Sequence, residues 1–438
     1  MCRPQRPRRH LELAALLTLL ISLLACDLPT ATTGTGTPSP HAGGGRHRIA
    51  VRAVGGQAAF YDVVTDRTYT PRGVNLINLV AAEDGHLQDR SFAVGVYHHD
   101  DLAAIFDRLH RRGFNTVRMF MDSCQGGAEC LTRPGQPGLN PDVLDNIVDA
   151  TRLAAQDTIA LLLTSNDIPD DGGYGARANA GAGAQFAGYR NAHMLTPQGV
   201  EAASSYWHDL IAGLLDHGVA LSGVLAWELL NEQWLFEEQP PLSLTSGAVT
   251  TANGRRYTLT SLEEKHRMVA DGVSYYITQV GGQIRALDPT ALVTMGFFMP
   301  AFPDGRTISP GWYTDVKPLL THAALDFFDL HLYPGGYTIA EQAVNFGIDN
   351  YTAKPLLMGE IGAFMNTYSS MATAVSVVQQ WIADSCRYHF GGWLYWAYRT
   401  SPPGVSDATW SFEHEGGAML GALAPDVQPD LCHPAGGR

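Results

Sequence analysis

Residues 224–232 read V-L-A-W-E-L-L-N-E, an apolar run that ends in an asparagine and a carboxylate. A strand buried on both faces of a parallel sheet is an almost continuous apolar run. Polar residues that end such a run lie at the carboxyl end of the strand, where α/β barrels carry their chemistry. A second run, K-P-L-L-M-G-E-I-G at 354–362, brings Glu360 to the same edge of the sheet as Glu232. We therefore interpret Glu232 and Glu360 as a pair of catalytic carboxylates.

The same strand-like pattern recurs along the chain, with amphipathic helical segments between the runs. Strands that alternate with helices form a parallel sheet, and eight of them over roughly 350 residues is the count of a (β/α)8 barrel, or TIM barrel. An alternating segment at 49–62, together with 68–70, is expected to form a hairpin that closes the bottom of the barrel. The predicted strands are 73–76, 116–120, 159–164, 224–230, 292–298, 327–332, 355–358 and 392–398.

Length and charge limit the function classes. The chain has 438 residues, enough for one large α/β barrel or two ordinary domains. Its formal net charge is −14, with 29 basic residues, and no run rich in lysine and arginine follows the N-terminal segment. Nucleic-acid-binding domains carry basic patches, so the charge argues against nucleic acid as a partner.

The N-terminus predicts export and anchoring. Residues 1–25 are expected to be a signal peptide, because a basic region precedes an apolar core at 11–24. The sequence L-L-A-C, ending at Cys26, resembles the lipobox of bacterial lipoproteins, which implies cleavage before Cys26 and acylation of its thiol. An ordinary secretory signal is the alternative. Residues 26–47, rich in Thr, Gly, Pro and Ser, are expected to be a flexible tether to a folded domain at 48–438. We expect an extracytoplasmic lipoprotein anchored to a bacterial membrane, at the cell surface or in the periplasm.

Four cysteines remain in the predicted exported chain beyond the lipobox. An even number in an oxidising compartment predicts two disulfides, for which sequence alone allows three pairings. We favour Cys124 with Cys130, since both lie in one short Gly-rich loop, and Cys386 with Cys432. A zinc site is the alternative, but no histidine lies at ligand spacing near these cysteines.

Polar residues also end other predicted strands, in a specific order. An arginine lies near the end of the second strand, Asn-Glu ends the fourth, His-x-Tyr ends the sixth, glutamate ends the seventh, and tryptophan lies on the eighth. This order resembles glycoside hydrolase family 5, (β/α)8 retaining glycosidases that include cellulases and mannanases, over about residues 72–399. The residues that carry the resemblance are Arg118, Asn231, Glu232, His331, Tyr333, Glu360 and Trp396.

The resemblance implies a catalytic role for each carboxylate. Glu232 would be the general acid/base, since an apolar strand end and a second carboxylate nearby raise its pKa. Glu360 would be the nucleophile, held ionised by Arg118 and by a hydrogen bond from Tyr333. Arg118 could instead be a structural residue that pairs with Glu228 deeper in the barrel.

The resemblance also implies residues that bind substrate. Asn231 would bind the 2-hydroxyl of the sugar, a contact that strengthens toward the transition state. His331 would lie beside the acid/base, and Trp396 would form the floor under the reacting sugar. The implied reaction needs no metal or organic cofactor.

The loops after the third, fourth, fifth and eighth predicted strands are long and hold aromatic residues. Aromatic rings stack on sugar faces, so we expect these rings collectively to line a carbohydrate cleft, with Trp234 and Trp312 binding substrate. For any single ring, packing within its loop is the alternative. The aromatic residues in these loops are Tyr174, Trp234, Phe236, Trp312 and Trp410.

Two departures from the family pattern leave the sugar open. T-S-N-D at 164–167 stands where many members carry a histidine, and Gln233 stands where a proline often follows the acid/base. The sequence therefore predicts a retaining β-glycosidase that acts on a β-glucan or β-mannan by double displacement. One alternative is a non-catalytic carbohydrate-binding lipoprotein, which would have no need for a like-charge pair. The other is a metal-dependent barrel hydrolase such as a deacetylase, which the lack of a His/Asp ligand cluster at the strand ends disfavours.

Overall fold

Parallel strands close into a barrel in the part of the chain that the computed structural model describes. The described residues are 45–81, 87–186, 189–299, 311–402, 408–430 and 432, without the side chains of Tyr189 and of 311–313. They belong to one compact unit, His41–Arg438. The predicted signal peptide, Cys26 and nearly all of the predicted tether lie outside the described residues.

The barrel consists of eight strands, of which the fifth is broken in two. They are β1 (Arg72–Asn75), β2 (Thr116–Phe120), β3 (Ala160–Thr164), β4 (Val224–Glu228), β5 (Val293–Thr294 and Gly296–Phe297), β6 (Phe328–His331), β7 (Leu356–Ile361) and β8 (Phe390–Trp396). The first half of β5 pairs in parallel with β4 and its second half with β6. Because β5 thus occupies both ends of the strand order, the sheet closes on itself. This confirms the predicted (β/α)8 barrel.

Helices connect the strands on the outside. In α1 (His99–Arg111), Leu102, Ile105, Phe106 and Leu109 are buried, which is the spacing of one helix face. Gly113, with a φ of +81°, follows the end of this helix. The other helices are α2 (Pro141–Gln156), α3 (Tyr174–Asn179), α4 (Tyr189–Leu195), α5 (Pro197–Asp216), α6 (Leu262–Leu287), α7 (Lys317–His322), α8 (Ile339–Phe346), α9 (Met371–Ser385) and α10 (Ala418–Leu423). Short 3-10 turns lie at Ala184–Phe186, Leu221–Gly223, Cys386–Tyr388 and His414–Gly416.

A small antiparallel sheet covers the amino-terminal end of the barrel, as predicted. Its strands are Ile49–Val54, Gln57–Asp62 and Arg67–Thr68. Ile49 and Phe60 are buried among residues at the starts of the barrel strands, and the ring of Phe60 lies 5.0 Å from that of Phe327. Three two-stranded pairs lie in the loops: Leu79–Ala81 with Leu87–Asp89, Trp234–Phe236 with Gly311–Tyr313, and Ala248–Thr250 with Arg256–Thr258.

Two disulfides join the four cysteines in the predicted pairing. Cys124 and Cys130 have their Cα atoms 5.2 Å apart, and those of Cys386 and Cys432 lie 4.9 Å apart. The first bridge lies just after β2, and the second ties the C-terminal tail to the end of α9. Among the described residues, none of the helices combines the length and apolarity that crossing a membrane requires.

Candidate active site

Glu360 lies in β7 at the carboxyl end of the barrel, and each of its carboxylate oxygens accepts a hydrogen bond. Nη1 of Arg118 donates to Oε1 at 2.6 Å, and the hydroxyl of Tyr333 donates to Oε2 at 2.6 Å. The structure therefore places both expected partners on this carboxylate. Burial raises the pKa of Glu360, whereas Arg118 and Tyr333 favour its ionised form.

Arg118, from β2, is fully buried and links several polar side chains. Its Nε and Nη2 donate to the two oxygens of Glu228 at 2.7 and 2.9 Å. Arg118 thus makes the structural pair with Glu228 and the contact with Glu360 at once. Nη2 also donates to Oδ1 of Asn231 at 2.7 Å, so the oxygen of this side-chain amide faces Arg118. Burial alone would lower the pKa of Arg118, but the charges of Glu228 and Glu360 hold it above its ordinary value.

Glu232 follows the end of β4 with a backbone φ of +36°, a region that residues other than glycine rarely adopt. Its side chain is 26% exposed, and its Oε1 lies 2.9 Å from Nδ1 of His331. Burial raises the pKa of Glu232 to about 7, although the charges of Arg118 and Arg190 oppose the shift. Below neutral pH Glu232 therefore carries a proton, as a general acid must.

The two carboxylates and His331 form one cluster at the barrel mouth. One oxygen of Glu232, one of Glu360 and a ring nitrogen of His331 all lie within 4.8 Å of one another. Burial lowers the pKa of His331 to about 4, so the ring is neutral at neutral pH. A metal cation bound by these three groups would meet the guanidinium of Arg118, which already contacts Glu360. The charge pattern therefore favours a pair of working carboxylates over a metal centre.

The sequence analysis missed two buried members of this network. Asn75, at the end of β1, accepts from Nη1 of Arg118 at 3.0 Å and donates to the carbonyl of Gly359 at 2.9 Å. Asp329, in β6, has one oxygen 3.8 Å from Nε of Arg118. Asp329 stands two residues before His331, and side chains two apart on a strand share a face. The spacing of two residues from His331 could therefore have identified Asp329 as a neighbour of the site.

Two predicted aromatic contacts lie close to the strand ends that carry the site. Trp396 is half-buried at the end of β8, with its ring 6.2 Å from and edge-on to that of Phe120. Trp234 is half-buried two residues after Glu232, and the guanidinium of Arg190 lies 4.5 Å from its ring centroid.

The other expected aromatic residues do not all line the cleft. The side chain of Trp312 lies outside the described residues. Tyr174 is 1% exposed and donates to Asp209 at 2.8 Å, so its ring packs inside the fold, which is the alternative for a single aromatic residue. The indole of Trp410 donates to the carbonyl of Tyr368 at 2.7 Å.

The chain matches no protein-family model and no curated protein sequence, but it matches solved structures. The endo-1,4-β-mannanase from Rhizomucor miehei is 16% identical and has a TM-score of 0.58, over 86% of this chain and 99% of the other. A cellotetraose complex of the endocellulase from Pyrococcus horikoshii is 13% identical, with a TM-score of 0.53 over 87% of this chain and 99% of the other. A glycoside hydrolase family 5 mannosidase from Rhizomucor miehei is 12% identical, with a TM-score of 0.52 over 87% and 98%.

This chain has the barrel fold of these glycoside hydrolases. At such low identities the likeness establishes the fold of the barrel. The chemistry follows from the residues at its mouth.

Proposed function

We propose that the protein is a retaining β-glycoside hydrolase of the family 5 type. The observation that carries the proposal is the approach of two carboxylates, since oxygens of Glu232 and Glu360 lie within 4.8 Å of each other. Retaining glycosidases hold these groups about 5–5.5 Å apart, whereas inverting enzymes hold them about 6.5–9.5 Å apart to admit a water molecule. The short separation therefore supports a double displacement.

In the first step a carboxylate oxygen of Glu360 attacks the anomeric carbon. The bond from that carbon to the leaving-group oxygen breaks, and Glu232 gives its proton to this oxygen. The hydrogen bonds from Arg118 and Tyr333, both 2.6 Å, hold the attacking carboxylate in one orientation. The side-chain amide of Asn231 would donate to the 2-hydroxyl, where hydrogen bonds strengthen toward the oxocarbenium-like transition state.

In the second step Glu232 acts as a base. The charge of Glu232 raises the pKa of Glu360, and because this repulsion is mutual, esterification of Glu360 makes Glu232 easier to ionise. Ionised Glu232 then takes a proton from water, and the water oxygen attacks the anomeric carbon as its bond to Glu360 breaks. Two inversions leave the product with the β configuration of the substrate.

We propose a β-linked glucan or mannan as the substrate. The solved structures with this fold include an endo-1,4-β-mannanase and an endocellulase, which supports a chain of β-linked hexoses. Trp396 would lie under the sugar at the reacting position, and Trp234 would stack on a neighbouring sugar. The departures at 164–167 and Gln233 leave the choice between glucose and mannose open.

Hydrolysis of a panel of β-glucans and β-mannans, with an α-glucan as control, tests this proposal. Proton NMR of the first-formed product should show the β anomer, and Glu360→Gln should abolish the reaction. An α anomer formed first would exclude double displacement. Binding to a β-glycan without hydrolysis would favour the carbohydrate-binding alternative.

We also propose that an acyl group on Cys26 anchors the protein to a bacterial membrane. The support is the L-L-A-C sequence after an apolar segment, followed by a polar, Gly- and Pro-rich stretch. A tethered hydrolase of this kind would act on polymer outside the cytoplasm.

A further inference from the structure

A buried carboxylate directly below His331 has no role in the mechanism described above. Asp329 and His331 lie two residues apart on β6, so their side chains share one face, and both are 0% exposed. Oδ1 of Asp329 lies 3.9 Å from Nε2 of His331. Within the described part of the chain, no well-aligned hydrogen bond joins either oxygen of Asp329 or Nε2 of His331 to another group.

Two glycines make room for this pair. A Cβ atom at Gly359, in β7, would lie 1.7 Å from Oδ1 of Asp329. A Cβ atom at Gly296, in β5, would lie 3.3 Å from Nε2 of His331 and 2.6 Å from Oε1 of Glu228. The carboxylate of Asp329 therefore fills space that exists because residue 359 has no side chain.

Asp329 fits this position as a neutral acid. Arg118, the cation beside it, already binds Glu228 through two hydrogen bonds and Glu360 through one. Its Nε lies 3.8 Å from Asp329, beyond hydrogen-bond distance. An ionised Asp329 would thus be a further buried carboxylate, favoured only by the charge of Arg118 and by the nearby backbone N–H of Gly359, and such burial is costly. In agreement, burial and then the charge of Glu228 raise the pKa of Asp329 well above its ordinary value.

The proton of neutral Asp329 has an unoccupied acceptor in His331. An oxygen of Glu228 also lies within 4.8 Å of Asp329 and His331. However, the oxygens of Glu228 already accept from Arg118 and from the hydroxyl of Thr164. Closing the gap from Asp329 to Nε2 takes a shift of about 1 Å.

The surroundings of the other ring nitrogen favour the same arrangement. Nδ1 of His331 lies 2.9 Å from Oε1 of Glu232 and 3.5 Å from Oε1 of Glu360. A lone pair on Nδ1 would repel the ionised carboxylate of Glu360, whereas an N–H would donate toward both oxygens. A neutral imidazole carries one ring proton, and both sets of contacts put it on Nδ1.

We propose that Asp329 is a positioning residue that donates its proton to Nε2 of His331 and so holds the imidazole as its Nδ1–H tautomer. That tautomer donates to Oε1 of Glu232. Because Oε1 is then an acceptor, the acid proton of Glu232 is placed on Oε2, the oxygen left to reach the leaving group. The consequence for catalysis rests on the proposed function, while the tautomer itself does not.

NMR of the protein labelled at its histidine ring nitrogens tests the tautomer directly. Long-range proton–nitrogen correlations distinguish protonated from unprotonated ring nitrogens, and the signals that vanish in His331→Gln belong to His331. We expect a protonated Nδ1 and an unprotonated Nε2 near neutral pH in the wild-type protein. A protonated Nε2 would overturn the proposal, whether or not the protein hydrolyses any glycan.

Two variants and a control extend the test to rates. Asp329→Val removes the donor to Nε2 and should raise the share of the Nε2–H tautomer, which only the contacts of Nδ1 then oppose. The kcat/KM of Asp329→Val should fall roughly 10- to 100-fold on glycosides with poor leaving groups, because the variant loses a part of the roughly 10²–10⁴-fold that general acid catalysis supplies. On activated aryl glycosides, which need little help from an acid, the fall should be much smaller. Asp329→Asn keeps an N–H donor, so it should restore the Nδ1–H tautomer and recover most of the lost kcat/KM. Thr294→Val removes another buried hydrogen bond of the barrel wall, from Thr294 to the carbonyl of Phe327 at 2.8 Å, and should change neither readout. An unchanged tautomer in Asp329→Val, or equal losses on both substrate types, would overturn the proposal.

Discussion

Replacing Glu232 by alanine should remove the alkaline limb of the pH profile. The wild-type acid must be protonated, so activity should fall as pH rises through the pKa of Glu232, about 7. At pH 6 an acid with that pKa is roughly 90% protonated, whereas one at the ordinary value of 4.5 would be roughly 3% protonated. Burial therefore gives roughly thirty times more working acid at pH 6.

The assay is kcat/KM against pH, which reports groups of the free enzyme. Glu232→Ala should lose roughly 10²–10⁴-fold on a glycoside with a poor leaving group. It should lose little in the first step on an activated aryl glycoside, and added azide should restore turnover with a β-glycosyl azide as product. Persistence of the alkaline limb in Glu232→Ala, or equal losses on the two substrates, would refute the acid/base assignment.

Three further changes test other parts of the proposal. Glu360→Ala should abolish hydrolysis, and added azide should not produce a β-configured product. An unchanged thermal unfolding midpoint should show that the barrel is intact. Arg118→Met leaves Glu228 and Glu360 without their cation, so the free energy of unfolding should fall by roughly 3–5 kcal/mol, measured by denaturant titration. Cys26→Ser should release the protein from the membrane fraction or leave it unprocessed, as seen by fractionation and N-terminal sequencing.

Each of these outcomes has a clear contrary. Full activity without Glu360 would remove the nucleophile from the mechanism. An Arg118→Met protein as stable as the wild type would mean that the ion pairs of Arg118 with Glu228 and Glu360 do not stabilise the fold. A wild-type protein that is entirely soluble, with its N-terminus elsewhere than Cys26, would contradict the lipoprotein proposal.

The barrel could be predicted because its strands are continuous apolar runs separated by amphipathic helices. The exception is the fifth strand, predicted as 292–298 and found in two parts. There the backbone follows the chain that leaves β4, since Leu229 donates to the carbonyl of Thr294 and Gly296 donates to that of Leu230. A hydrogen bond between two segments far apart in sequence cannot be predicted from the apolar pattern of either segment.

The positions of Glu232, Glu360 and Arg118 could also be anticipated, because each is a charged residue at or near the end of an apolar run. Asp329 does not end an apolar run, since it lies between the apolar residues Phe328 and Leu330. Its surroundings come from residues of β2, β4, β5 and β7, which are far from it in sequence. For Tyr174 the sequence left two alternatives open, a place in the cleft or packing within its loop. An aromatic residue in a long loop can pack inward, and its ring lies 5.3 Å from that of Tyr206 on α5.

The close approach of Gly359 to Asp329 means that the residue at one of these positions limits which residues the other position can accept during evolution. Any side chain at 359 would place its Cβ 1.7 Å from Oδ1 of Asp329, so the acid could enter the barrel only in a chain that already had glycine there. Gly359→Ala should strongly destabilise the wild-type protein and should be much milder together with Asp329→Ala, which removes the atoms that a Cβ at 359 would meet at 1.7, 2.3 and 2.4 Å. In the evolution of this barrel, glycine at 359 must therefore come before aspartate at 329, because a Cβ atom at 359 would occupy the space of the carboxylate.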